Sequence, residues 1–97
     1  MVPNGKKKPE VYAQASEVFK ALAHPSRVRL LHRLIQGDCC VSEIENCLGL
    51  SQPNVSQHLK VLKDAGLIQG TRKGTRICYA IADDRVRRVI AAILEGE

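Results

Sequence analysis

Two adjacent cysteines, Cys39 and Cys40, followed by Cys47 in the run CCVSEIENC, are the side chains here with the strongest claim to chemistry. Thiolates are soft ligands that select soft metals, and a thiol at a helix N-terminus ionises more readily than a free one. Cys39 and Cys40 are therefore expected to be reactive. Cys47 presents a geometric objection. If a helix begins at Cys40, the two lie two turns apart, roughly 10 Å along the axis, and share one ion only if the start of the run folds back. Cys47 also completes an apolar helical face with Val41, Ile44 and Leu48, where a buried structural thiol is the commoner outcome. Cys78, alternating with Ile77 and Tyr79 farther along, is expected to be exposed, with no second ligand beside it in sequence.

A second group of residues suits recognition rather than reaction. In SQPNVSQHLKVLKDAG, Ser51 to Gly66, Val55, Leu59 and Leu62 recur at helical spacing to bind an inner face. The outer face is Gln52, Asn54, Ser56, Gln57 and Lys60. Ser51 suits an N-cap, Pro53 the first turn and Gly66 the stop. An ordinary surface helix would carry Glu and Lys outside; amides and hydroxyls instead donate to phosphates and base edges in a major groove. The net charge of +5 agrees with a polyanionic partner. With only Tyr12, Phe19 and Tyr79 as aromatics, stacking on single-stranded bases is not expected.

The elements that must position these groups follow from periodicity. Residues 1–9 offer nothing to bury and read as a basic, disordered tail, leaving one domain over 10–97. A helix from about Glu10 to Ala23 shows Val11, Ala15, Val18, Phe19 and Leu22 on one face. A second, opened by Pro25 and ended by Gly37, carries Val28, Leu30, Leu31, Leu34 and Ile35 and belongs at the centre of the core. A short third helix from about Val41 to Leu48 closes at Gly49, and the amide-faced helix follows after a tight turn, which is the helix-turn-helix arrangement. After Gly66 the period becomes two, and the chain reads as a hairpin with Arg72, Lys73 and Arg76 at its tip. Directly after a helix-turn-helix, such a hairpin is a wing able to reach phosphates or a minor groove. A final helix, Asp84 to Leu94, aligns Val86, Val89, Ile90, Ile93 and Leu94. Two terminal helices with apolar stripes and little chain left to cover them suggest a symmetric dimer, with packing on the subunit's own core as the rival.

The expected class is thus mainly α (α+β): a winged helix-turn-helix of five helices with a two-stranded β-hairpin wing, assembled as a homodimer on double-stranded DNA. No hydrophobic run is long enough to cross a bilayer, and MVPNGKKKPE lacks the apolar stretch of a secretion signal, so a cytoplasmic chain with reduced thiols is expected. No nucleophile-base pair, phosphate-binding glycine loop or paired-carboxylate motif specifies an enzyme reaction.

Three segments, FKALAHPSRVRLLHRL, LSQPNVSQHLKVLKDAGLI and RKGTRICYAI, together resemble the ArsR/SmtB family of winged-helix repressors, from Phe19 to Ile81. The resemblance implies a homodimer built on the first and last helices, repression of a promoter, and release by an inducer or oxidant. It places Ser51, Gln52, Asn54, Ser56, Gln57 and His58 at or near DNA; His58 reads equally well as an inward-facing core hydrogen-bonding residue. Metal-sensing members carry a Cys-Val-Cys run before the third helix. Cys40 matches its first cysteine, Ser42 stands at the second, and Glu45 stands where some arsenite sensors have a third. The ligand set that remains is Cys39, Cys40 and Cys47, with no constitutive cofactor and a thiolate-bound As(III) or soft divalent metal as inducer. Asp83 matches one ligand of the family's interfacial zinc site, but Arg85 and Gly96 replace its histidines, so that site is not expected. The alternative is a redox or reactive-sulfur switch, in which oxidation joins Cys39 or Cys40 to another cysteine of the fold or of a partner subunit, because adjacent cysteines make a strained bridge.

Overall fold

The computed structural model describes residues 7–96, so most of the expected basic tail lies outside the described residues, as does Glu97. The order is α1 (Pro9–Leu22), α2 (Pro25–Ile35), β1 (Cys39–Cys40), α3 (Val41–Leu48), α4 (Gln52–Asp64), β2 (Ile68–Lys73), β3 (Arg76–Ile81) and α5 (Asp84–Glu95).

Helix α2 is the hub. Leu30, Leu31 and Leu34 are each at most 1% exposed and recur at helical spacing, so one face meets every other layer. They pack with Ile44 and Leu48 of α3, Val55, Leu59 and Leu62 of α4, and Val86 and Ile90 of α5. Arg27 ties α1 to this hub: its Nε donates to the carbonyl of Ala21 at 2.6 Å and its Nη2 to that of Lys20 at 3.3 Å. Those are carbonyls of the last turn of α1, where a cation is favoured.

Glycines follow the ends of α3 and α4. Gly49, φ 67°, closes α3, and its N–H donates to the carbonyl of Glu45 at 2.8 Å. Gly66, φ 77°, lets the chain reverse so that the Leu67 N–H returns to the carbonyl of Leu62 at 3.0 Å. Ser51 is the N-cap of α4 through its backbone carbonyl, which accepts from the Val55 N–H at 3.0 Å; its hydroxyl makes no capping bond.

The sheet has three strands in the order β1-β3-β2, all antiparallel. The wing hairpin is thus joined by a third strand that the two-stranded expectation lacked. Cys39 lies opposite Tyr79 and Cys40 opposite Cys78. Tyr79 and Ile81 face the core together with Cys39. Among the described residues no helix is long and apolar enough to cross a membrane.

Candidate functional site

The amide-rich face of α4 is open to solvent. Ser51, Gln52, Asn54, Ser56, Gln57 and Lys60 are all exposed, while Val55, Leu59 and Leu62 anchor the opposite face. Two of the outer side chains are held within the helix: Gln52 Nε2 donates to Ser56 Oγ at 2.7 Å, and Lys60 pairs with Asp64 at 2.9 Å. Asn54 and Gln57 stand beside them, exposed. Pro53 occupies the first turn, where a missing N–H costs nothing, and the remaining first-turn amides point out of the helix end. Arg72, Lys73 and Arg76 place three exposed cations along the wing, on strands joined through Gly74, φ 67°, and Thr75.

His58 turns away from that face. It is half-buried, its ring centroid lies 4.5 Å from that of His24, and its Nδ1 sits 3.5 Å from Arg27 Nη1. Burial first, then the neighbouring His24 and Arg27, hold its imidazole below the usual histidine range. His24 is itself the N-cap of α2, its Nδ1 accepting from the Ser26 N–H at 3.0 Å. Arg27, which sequence reasoning did not single out, therefore touches both the end of α1 and the inner side of the reading helix. Its signal was its place in the first turn after His24-Pro25.

The cysteines divide by strand alternation. Cys39 points into the core at 1% exposure, and burial pushes its thiol up, opposed by Arg33 and reinforced by Glu43 and nearby Cys47. A thiol buried in this way is shielded from solvent and its thiolate disfavoured, against the expectation that Cys39 is reactive. Cys40 points to the other face of β1 and forms a disulfide with Cys78, their Cα atoms 3.8 Å apart across the β1–β3 ladder. Cys78 is 7% exposed, not open to solvent as its alternation with Ile77 suggested; β1 pairs beside β3 and sets Cys40 against it. Cys47 is a free, half-buried thiol. The structure thus does not bring Cys39, Cys40 and Cys47 into one cluster, and no group of three His, Cys, Asp or Glu suited to hold a metal ion occurs among the described residues.

Cys40 is also the N-cap of α3, where its backbone N–H donates to Glu43 Oε1 at 2.9 Å. The bond to Cys78 therefore joins the start of α3, the helix preceding α4, to a strand of the hairpin. At Asp83 the carboxylate caps α5 through the Arg85 N–H at 2.9 Å and grips the Arg85 guanidinium, which holds its carboxyl below the usual range. That role is structural.

A polar, exposed helix α4 beside a basic hairpin, both mounted on one helical core, is the arrangement of a winged helix-turn-helix regulator. The family described as bacterial regulatory protein, arsR family, matches residues 24–69. Similarity extends over most of the chain: it is 40% identical over 87 residues to the uncharacterized HTH-type transcriptional regulator MJ1325 of Methanocaldococcus jannaschii, covering 89% of this chain and 98% of that one. To the HTH-type transcriptional repressor SmtB of Mycobacterium tuberculosis it is 38% identical over 81 residues, 84% of this chain and 60% of the relative's length. The homodimeric winged helix-turn-helix DNA-binding domain Mb0332 of Mycobacterium bovis superposes with a TM-score of 0.85 at 33% identity, covering 99% of this chain and 89% of that one. The chain belongs to the arsR family of bacterial regulatory proteins.

Proposed function

We propose that this chain is a homodimeric, operator-binding repressor whose release is governed by the thiol pair Cys40 and Cys78. The observation that carries the proposal is the disulfide between the N-cap of α3 and wing strand β3. In the dithiol state the β1–β3 pairing and the packing of α3 against β3 hold these elements together without a covalent link, and each adjusts to its groove. In the bonded state they move as one unit, and the fit of helix and wing to one duplex is lost. A preference of a few kcal/mol for the misfitting state empties an operator.

Gln52, Asn54, Ser56 and Gln57 read the major groove with Ser51 at the helix entrance, and Arg72, Lys73 and Arg76 hold the flanking phosphates. Lys60 contributes charge from the far end of the face, and His58 acts from behind it. Dimerisation is supported by the apolar side chains that α1 and α5 leave uncovered: Tyr12 is 53%, Phe19 62% and Ile93 74% exposed. It is supported too by the homodimeric relative from Mycobacterium bovis. Two-fold symmetry would present two reading helices to two half-sites.

The soft-metal reading has one supporting observation. Reduced, Cys40 and Cys78 lie directly opposite each other and offer two thiolates to arsenite or a soft divalent ion. Selection of binding sites from random duplexes by the reduced protein tests the common core of both readings. The expected product is a two-fold symmetric site bound by a dimer, lost in Ile93→Glu; an asymmetric site bound by monomers overturns it. Release of that site by a thiol oxidant in metal-free buffer favours the disulfide, and release by arsenite under reducing conditions favours the metalloid.

A further inference from the structure

Resting on the reading of Cys40 and Cys78 as the sensing pair, we propose that the groove beside Cys40 docks a small zwitterionic thiol of the amino-acid type, which opens the disulfide by attack on Cys40 Sγ. The groove, about 350 Å³, runs between the start of α3 and the tip of the wing. Cys40 lies on its wall, whereas Cys78 is 7% exposed. A nucleophile arriving from solvent thus meets Cys40 first.

The walls carry one charge of each sign: Arg76 from β3 and Glu45 from α3. Neither is engaged in an ion pair among the described residues. Val41 and Ile77 add apolar surface to the lining. A carboxylate toward Arg76, an ammonium toward Glu45 and a methylene thiol between them match this arrangement. Simple anions or cations satisfy half of it.

The chemistry closes without a further reactant. The incoming thiolate bonds to Cys40 Sγ, the Sγ–Sγ bond breaks, and its electron pair leaves on Cys78, which takes a proton from water. A second molecule of the thiol attacks the ligand sulfur of the mixed disulfide and frees Cys40. The protein disulfide is reduced by two electrons, and two small thiols are oxidised to their disulfide.

The test uses the oxidised full chain and four thiols: cysteine, mercaptoacetate, cysteamine and 2-mercaptoethanol. Each exchange rate is divided by that of the same thiol with a small uncharged disulfide, which removes intrinsic nucleophilicity. Cysteine should show the highest ratio, with each charge contributing about threefold at low salt. Arg76→Gln should erase the advantage of the carboxylate thiols, and Glu45→Gln that of the ammonium thiols. Acid-quenched peptides should carry the adduct on Cys40. Equal ratios for all four thiols, ratios unchanged in both variants, or an adduct on Cys78 would overturn the proposal. No DNA is present in this measurement, so its failure leaves redox control of operator binding standing; conversely, an operator affinity indifferent to reduction defeats that reading without altering the exchange rates.

Discussion

Gly70 lies directly opposite Tyr79 in the β2–β3 ladder, and a β-carbon on Gly70 would come within 2.9 Å of Tyr79 Cε1. The tyrosine is a buried member of the core, also paired in register with Cys39 on its other side. The wing is therefore seated by an aromatic ring laid across a glycine.

Replacing Gly70 with Ala forces that ring off its seat and should destabilise the protein by about 1–3 kcal/mol, the usual cost of overpacking. Thermal unfolding of the variant checks this. An unchanged midpoint would mean that the ring moves freely and does not fix the wing.

His58 predicts a pH dependence of stability. Its folded-state value lies below the ordinary one, so as pH falls below about 6.5 the unfolded chain takes a proton that the folded chain refuses. The stabilising contribution is present above that value and is lost as pH falls toward the folded one. Urea midpoints should therefore drop from about pH 7.5 to about 5.5, and His58→Asn should flatten the drop. A slope unchanged in the variant would remove His58 as its source. Asp83, depressed by Arg85, acts in the same direction but in the more acid range of carboxylates, and so outside this window.

Reading and anchoring should separate by mutation. Gln57→Ala should cost about 1–3 kcal/mol of discrimination between the selected site and random duplex. Arg72→Ala should weaken binding to both and lower the salt slope by about one. Competition titrations at several salt concentrations measure both. A loss of discrimination in Arg72→Ala with no change of salt slope would reverse these roles.

The helices were legible because their punctuation is local. Gly49 and Gly66 occupy left-handed positions that end α3 and α4, and Pro25 and Pro53 sit in first turns, so those boundaries follow from neighbouring residues alone. Strand β1 was not legible, since two residues, Cys39 and Cys40, show no period and their pairing is set by a strand almost forty positions away. The misreading of Cys78 has the same origin: alternation along β3 is real, but the unforeseen strand β1 sets Cys40 directly against Cys78. His58 was ambiguous because the contacts that turn it inward come from His24 and Arg27 on another helix. The amide face of α4 was plain in sequence, whereas the partner of Cys40 required the fold.

The central claim is that the Cys40–Cys78 bond controls operator occupancy, and its most direct test is the affinity of the selected site for reduced and oxidised protein at fixed salt. The account predicts that oxidation weakens binding at least fivefold, within the usual range of coupling between sites. It also predicts that reductant restores binding and that Cys78→Ser binds like the reduced protein in both conditions. Equal affinities for reduced and oxidised wild type, or a Cys78→Ser protein that still releases the site on oxidation, would contradict it.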